Sequence, residues 1–271
     1  MRNCLICGRK GSKLFMVQDK QLGFCLQCDL AWTEDFKYPN YKNYHRDETY
    51  NTSNSLFDNA FLRLLHIAQK YLTQGKMFEV GTSVGNLLEI FFQNGWEVSG
   101  IESSQMARNI ARRKGFKVQA GYFETANIPK NMYDLVVINQ TLEHLRNPLF
   151  VLKKIKRILK RRGMVLIGVP NFGSLSAKAL RQYWYYILPS EHKWHFSPQS
   201  LKRLVIKAGL RPIEYQTASG VFDYADPLKE IWTSFIGLKK RFLINFITII
   251  SSYLITKINK GTGLVLLARN A

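Results

Sequence analysis

The sequence predicts an α/β protein built on a doubly wound parallel sheet, and three observations carry that prediction. From residue 76 to residue 171, short apolar runs alternate with segments of helical periodicity, which is the order of a parallel sheet covered on both faces. A glycine turn joins the first apolar run to the helix that follows it. Polar side chains follow several of the apolar runs, at the positions where doubly wound sheets bind their ligands.

The four cysteines of the chain form two Cys-x-x-Cys pairs near its N-terminus, Cys4 with Cys7 and Cys25 with Cys28. Two pairs at this separation are typical of a zinc ribbon, in which four thiolates surround a structural Zn²⁺ and leave no open position for water. Disulfides and a redox dithiol are the alternatives. The first residues contain no apolar signal region, which predicts a cytoplasmic protein whose thiols stay reduced. We therefore predict a zinc ribbon over residues 1–36.

A tyrosine-rich segment, residues 37–55, is predicted to connect this ribbon to an α/β domain over residues 56–271. Its tyrosines are Tyr38, Tyr41, Tyr44 and Tyr50. The segment has little periodicity, so it is either a linker or a lid over a site. A second aromatic-rich stretch, residues 172–196, is predicted as an insertion that forms either a substrate wall or a packed surface subdomain.

The central strand, turn and helix span residues 76–95. The helix is predicted to bury one face, made of Val84, Leu87, Leu88, Phe91 and Phe92, because these residues recur at helical spacing. Gly81 and Gly85 allow positive φ and a close approach of a ligand to the backbone. Ser83 stands between them, where a glycine is common. A strand, turn and helix without any ligand is the alternative interpretation.

Later strands are predicted at Lys117–Ala120, Tyr133–Asn139 and Met164–Asn171. Between the last two, Asn147 and Pro148 form a strong helix start, and Gly163 is predicted to end that helix. Residues at or just past strand ends are Glu79, Gly81, Glu102, Asn139, Gln140, His144 and Asn171. Because the carboxyl ends of parallel strands share one edge of a sheet, we expect these residues to gather at a single site.

The chain resembles the small-molecule branch of the class I S-adenosylmethionine-dependent methyltransferases, which includes the ubiquinone-biosynthesis O-methyltransferases. The resemblance covers roughly residues 70–216 and rests on the glycine turn and three further blocks: Leu142-Glu-His-Leu-x-Asn-Pro148, Gly163-x-x-x-Ile-x-Val-Pro-Asn171 and Glu191-His-Lys-Trp-His-Phe-Ser197. It implies a seven-stranded Rossmann-like sheet whose last strand, near residues 263–269, is antiparallel. The N-terminal module resembles, less specifically, those of sugar-modifying and cell-surface-polysaccharide members.

This resemblance implies S-adenosylmethionine as the cofactor. Glu79, Gly81 and Gly85 would line its methionine end. Glu102, about 20 residues past the turn, would bind the ribose hydroxyls, and Gln140 would lie near the sulfonium. The complete predicted cofactor set is Glu79, Gly81, Thr82, Gly85, Glu102, Ser103, Asn139 and Gln140.

Methyl transfer from a sulfonium is an in-line displacement, so the enzyme must align the acceptor with the methyl group. A hydroxyl acceptor must also lose a proton, a task that suits histidine. The candidate bases are His144, His192 and His195, and a structural hydrogen-bonding role is the alternative for the last two. The predicted acceptor is a small molecule or a glycan or lipid precursor.

The charge balance leaves an alternative function open. Lysine and arginine number 39 against 19 acidic residues, a net charge of +20, which indicates an anionic partner or simply a basic solvated surface. An RNA methyltransferase would use the ribbon and this charge on a phosphate backbone. Pyrimidine C5 methylation is disfavoured because it needs a cysteine nucleophile, and all four cysteines are assigned to zinc. A binding protein without catalysis is disfavoured by the intact Glu79, Gly81, Gly85 and Glu102.

Residues 239–260 form an unusually apolar segment flanked by cations. On a helical wheel its polar residues make one narrow stripe: Asn245, Thr248, Ser252, Thr256 and Asn259. The apolar arc lies around Ile244, Phe246, Ile247, Ile250 and Leu254. The segment falls short of the ~20 residues that a spanning helix needs. It is therefore predicted to lie on a membrane surface, with burial against the domain or in a dimer as the alternatives.

Overall fold

The structure, a computed structural model, describes residues 2–39, 58–219 and 251–271. Most of the predicted connector, including Tyr41, Tyr44 and Tyr50, lies outside these residues, and so do residues 239–250 of the apolar segment. The predicted domain boundaries at residues 36 and 55 stay predictions.

A seven-stranded sheet forms the centre of the molecule, in the order β10-β11-β8-β7-β4-β5-β6. Its strands are β4 Lys76–Val80, β5 Glu97–Glu102, β6 Lys117–Ala120, β7 Tyr133–Asn139, β8 Leu159–Pro170, β10 Leu210–Ala218 and β11 Gly263–Asn270. The five adjacent strands β6, β5, β4, β7 and β8 pair in parallel. Strand β11 is antiparallel to both of its neighbours, β8 and β10. The predicted fold class, including the antiparallel last strand, is confirmed.

Helices cover both faces of this sheet. They are α1 Asp58–Gln69, α2 Asn86–Gln93, α3 Gln105–Arg113, α4 Pro148–Ile158, α5 Leu175–Leu180 and α6 Pro198–Lys207; residues 251–257 are also helical. Along β7, Val136 and Ile138 join one apolar core cluster, and Leu135 and Val137 join the other. This alternation explains the continuous apolar run, because each face of the strand needs a hydrophobic partner. Within the described ranges, no helix is both long and apolar enough to cross a bilayer.

Two local predictions for helices need correction. The helix that begins with the Asn147 cap, whose side chain accepts from Phe150 N, ends at Ile158 and not at Gly163. Strand β8 begins at once because Leu159 pairs with Tyr133. In α2, Phe92 is exposed and not part of the buried face.

A second sheet of four strands joins the cysteine-rich module to the rest of the molecule. It has the order β1-β2-β3-β9, with β1 Lys13–Val17, β2 Lys20–Cys25, β3 Leu30–Thr33 and β9 Trp194–Phe196. The sequence did not indicate β9, which comes from the Glu191–Ser197 block. The module therefore continues into a sheet that the α/β domain completes.

Side chains reinforce this junction. Lys193 is fully buried and its Nζ donates to the carbonyl oxygens of Thr33 and Glu34. Two cations on α6 reach the cysteine turns: Lys207 donates to the carbonyls of Leu5 and Ile6, and Arg203 donates to that of Gln27. Cysteines from the module also share an apolar core with residues of α6.

His195 belongs to the same junction. It pairs with Ala31 across the ladder between β3 and β9 and is buried. Thr33 Oγ1 donates to the His192 carbonyl at 2.9 Å, so its oxygen accepts from His195 Nε2 at 3.3 Å. Burial, with a contribution from Lys193, lowers the pKa of His195 to about 3, which keeps the ring neutral.

This neutral, buried imidazole predicts an acid-sensitive fold. The unfolded ring takes up a proton near pH 6.5, so stability is complete above that pH and is lost as the pH falls towards the folded value of about 3. His195→Gln keeps a donor for Thr33 but cannot titrate. Melting temperatures measured across this range should fall more steeply for the wild type than for the variant. Parallel curves would contradict the prediction. Protonation of the cysteine thiols also changes stability with pH, but it affects the wild type and the variant equally and so cancels in the comparison.

Candidate functional site

A cavity of about 600 Å³ opens at the carboxyl ends of β4, β5, β6 and β7. The loops that follow these strands form its floor, and α1 forms part of one wall. Residues 185–192 close the opposite side. Of the strand-end residues expected to gather at one site, all except Asn171 line this cavity.

Two residues of the turn after β4 are glycines because the space around them is too small for a side chain. Gly81 has φ +81°, and a Cβ there would lie 2.7 Å from Thr141 Oγ1. Gly85 lies outside the cavity lining; a Cβ there would come within 3.1 Å of Ala111 and of Phe116. Gly85 therefore serves the packing of α2 on its neighbours, whereas Gly81 lets the loop approach the space that a ligand would fill.

Glu102 organises the loop from the end of the next strand. One carboxylate oxygen accepts from Ser83 N at 2.9 Å, and the other accepts from Ser104 N at 2.7 Å and from Ser103 Oγ at 3.3 Å. Ser83 has φ +48°, in the left-handed region that explains why glycine is common at this position. The carboxylate is thus held in one orientation beside the cavity.

Two buried polar atoms at the cavity have no hydrogen-bond partner among the described residues, Glu79 Oε2 and Ser83 Oγ. Burial and the nearby Glu102 raise the pKa of Glu79 well above its usual range. Buried polar atoms ordinarily have partners. These two therefore fit a site whose ligand supplies a donor, and a cationic donor would restore the ionised form of Glu79.

The remaining predicted cofactor residues also line this cavity. Thr82 is buried, and Asn139, Gln140 and Ser103 lie at its edge. Gln140 has φ +48°, and its N–H donates to the Gly168 carbonyl at 2.8 Å. The structure thus brings together all of the predicted cofactor set except Gly85.

His144 and His192 line the same cavity, with ring centroids 4.8 Å apart. His144 Nδ1 lies 2.8 Å from the Glu191 carbonyl oxygen, which can only accept, so Nδ1 carries the proton. The lone pair of the neutral ring is then on Nε2. His195 does not line the cavity, and its contacts assign it to the structural alternative.

A possible metal site adjoins these histidines. Glu143, His144 and His192 bring three ligand atoms within 4.8 Å of one another. Glu143 is buried, neither carboxylate oxygen has a partner in the described part of the chain, and burial raises its pKa to about 8. Carboxylate and imidazole are ligands for divalent metals, so this cluster could hold one.

Part of the predicted insertion 172–196 lines the cavity, through Tyr185, Tyr186, Leu188, Glu191 and His192. Sequence reasoning missed several other residues of the cavity wall. These are Phe61, Arg63, Gly121, Tyr122, Phe123, Glu124 and Thr141. The loop after β6 could have been found, since it follows a strand end like the others. The contribution of α1 could not, because no local pattern shows which turn of a helix faces a ligand space.

The family described as "Methyltransferase domain" matches residues 54–215, more than half of the chain. The chain belongs to this methyltransferase domain family. The match includes every strand from β4 to β9 and the whole loop floor of the cavity.

Two relatives illustrate the extent of the similarity. The chain is 27% identical over 110 residues to an uncharacterized protein of Methanocaldococcus jannaschii, covering 41% of this chain and 52% of that one. It is 26% identical over 150 residues to the ubiquinone biosynthesis O-methyltransferase of Acinetobacter baylyi, covering 50% and 63%. The chain therefore spans between half and two thirds of the length of these relatives.

Solved structures share the fold. A SAM-dependent methyltransferase from Archaeoglobus fulgidus has a TM-score of 0.56 and 19% identity, over 82% of this chain and 97% of its own. Phosphoethanolamine N-methyltransferase 2 of Haemonchus contortus, in complex with S-adenosyl-L-methionine, has a TM-score of 0.57 and 16% identity, over 95% and 70%. At these identities the likeness shows the fold alone.

The four cysteines lie before the methyltransferase domain and form a single cluster. Their sulfur atoms all lie within 4.8 Å of one another, and Cys7 Sγ is 3.7 Å from Cys25 Sγ. Zn–S bonds of about 2.3 Å give tetrahedral S–S edges of about 3.8 Å. Each pair sits in a tight turn, in which Gly8 N donates to the Cys4 carbonyl and Asp29 N donates to the Cys25 carbonyl, both at 2.9 Å.

This geometry fits the predicted structural zinc. Burial raises the pKa of the Cys4 thiol to about 12, because a buried thiolate is unfavourable without a nearby positive charge. A metal binds cysteine as the thiolate and supplies that charge. A closed set of four sulfur ligands gives zinc a structural role and no catalytic one.

Elemental analysis of protein purified without chelator should find about one zinc per chain. Cys25→Ser removes one thiolate and should reduce the zinc content and the melting temperature together, because the module shares a core with α6. A zinc content below about a tenth of this stoichiometry would contradict the assignment. So would a Cys25→Ser protein with an unchanged melting temperature.

Proposed function

We propose that the chain is an S-adenosylmethionine-dependent methyltransferase acting on a hydroxyl of a small molecule or of a glycan or lipid precursor. The observation that carries the proposal is a single cavity lined at once by Glu79, Glu102 and the pair His144 and His192. Membership of the methyltransferase domain family and the similarity to ubiquinone biosynthesis O-methyltransferases support it.

The loop floor would hold the cofactor. The carboxylate of Glu102, already fixed by two backbone N–H groups, would accept from the ribose hydroxyls. The α-ammonium group of the cofactor's methionine end would supply a cationic donor for Glu79, whose Oε2 is otherwise buried without a partner among the described residues. When bound, the cofactor supplies an electrophilic methyl group on sulfur.

The histidine side would receive the acceptor. Nδ1 of His144 is held by the Glu191 carbonyl, so Nε2 would be the atom that takes a proton from an acceptor hydroxyl. Tyr185 and Tyr186, together with Leu188, give this part of the wall an aromatic and apolar character. Such a wall aligns an acceptor by packing and excludes water from the transfer.

Glu102→Gln should weaken S-adenosylmethionine binding by about 1.5–3 kcal/mol, the range for a hydrogen bond to a charged group. The matched control is Glu97→Gln, since Glu97 begins the same strand and its side chain is exposed. Calorimetry should show a weaker affinity only for the Glu102 variant. Equal affinities in all three proteins would sink the role assigned to Glu102.

The reaction itself is tested with methyl-tritiated S-adenosylmethionine and separate lipid, glycan and RNA fractions. Label should enter the lipid or glycan fraction. His144→Asn keeps a donor for the Glu191 carbonyl but removes the base, so its rate should fall about 10²–10⁴-fold with cofactor affinity unchanged. His66→Asn, an exposed histidine on α1, is the control. Label in purified ribosomal RNA would favour the RNA alternative and overturn this proposal.

A further inference from the structure

The helix of residues 251–257 is oriented with its polar side towards the domain. Thr256 Oγ1 accepts from Ser219 N at 3.2 Å, and Asn259 Oδ1 accepts from Thr217 N at 3.3 Å. Ser252 is buried on the same side. The narrow polar stripe predicted from the sequence is therefore the inner face of the described part of this segment.

The apolar side of the same stretch faces outwards. Tyr253, Leu254 and Ile258 are 47%, 58% and 61% exposed. An amphipathic helix that packs on its own domain shows the opposite arrangement, with apolar residues inside. Among the residues that the structure describes, none buries these three side chains, contrary to the alternative of burial against the domain.

A second segment with exposed apolar side chains begins beside this helical stretch. Leu175 N donates to the Lys260 carbonyl at 3.0 Å, so the start of α5 lies beside the end of the helical stretch. Residues 175–185 expose four more large apolar or aromatic side chains: Leu175, Leu180, Tyr183 and Tyr185. We call these four residues, with Tyr253, Leu254 and Ile258, the outer apolar patch. Patches of several such residues mark interaction sites on soluble proteins.

Within the two segments that carry the outer apolar patch, the charged side chains are all cations. Lys178, Arg181, Lys257 and Lys260 are exposed within the same two segments. Residues 172–190 and 251–271 contain no aspartate or glutamate. Apolar and tyrosine side chains bordered by cations complement the boundary between the acyl chains and the headgroups of an anionic lipid surface. A second copy of this chain would place cations against cations.

We propose that the outer apolar patch docks the protein on an anionic membrane surface, with residues 251–258 lying in the plane of the interface. Tyr185 belongs both to the patch and to the cavity wall, so docking would turn that side of the cavity towards the lipid. The docking does not depend on the proposed methyl transfer and is tested without it.

The experiment is sedimentation of the full chain with vesicles of phosphatidylcholine alone and of phosphatidylcholine with phosphatidylglycerol. The wild type should bind only the anionic vesicles, and added salt should weaken the binding because it screens the cations. Leu254→Asp with Ile258→Asp should reduce the bound fraction at least about tenfold. Met106→Asp with Ile206→Asp is the matched control, since these residues are also exposed but lie on α3 and α6.

Thermal melts establish that both double variants are folded, and a single variant, Ile258→Ser, serves if the first double variant is not. Failure of the wild type to bind anionic vesicles would overturn the proposal, as would equal loss of binding in the two double variants. A wild-type dimer that ignores vesicles and becomes monomeric in Leu254→Asp with Ile258→Asp would assign the patch to a second copy of this chain instead.

Discussion

Parallel pairing of β4 with β5 on one side and with β7 on the other is the constraint on which the site depends. It makes the loops after these strands leave the sheet at the same edge, and the chain crosses there from one half of the sheet to the other. The opening between the two halves is the cavity. Close contact in this opening excludes side chains: a Cβ on Gly100 would lie 2.6 Å from the Glu79 carbonyl oxygen and closer still to Thr82.

A chain of contacts connects the cysteine module to the site. Strand β3 pairs with β9, and the residues around β9 hold the turn that carries His144. Lys193 N donates to the Glu143 carbonyl and Trp194 Nε1 donates to that of Leu145, both at 2.9 Å. A structural metal in the module would therefore stabilise the position of a histidine in the cavity without touching it.

Two carboxyl groups are buried near the carboxyl ends of the strands, Glu79 in β4 and Glu143 in the turn after β7. Both have raised pKa values because burial disfavours their charged forms. An unpaired buried charge is costly, so each carboxylate would be stabilised by a ligand that brings a positive charge. In the proposed function this would be the ammonium group of the cofactor at Glu79, and a divalent metal would do the same at Glu143.

The sequence alone determined most strands of the seven-stranded sheet, their order in the chain and the residues at their ends, because apolar runs, helical patterns, caps and glycine turns are local properties. It also determined the two cysteine pairs. Tertiary structure decided which elements meet: that β9 completes the cysteine module's sheet, that His195 is buried there while His144 and His192 face the cavity, and that Gly85 serves packing. It also decided that the polar stripe of residues 251–259 faces inwards. Each of these depends on contacts between residues far apart in the chain, and a one-dimensional pattern shows that a segment has two faces without showing which face meets the rest of the protein.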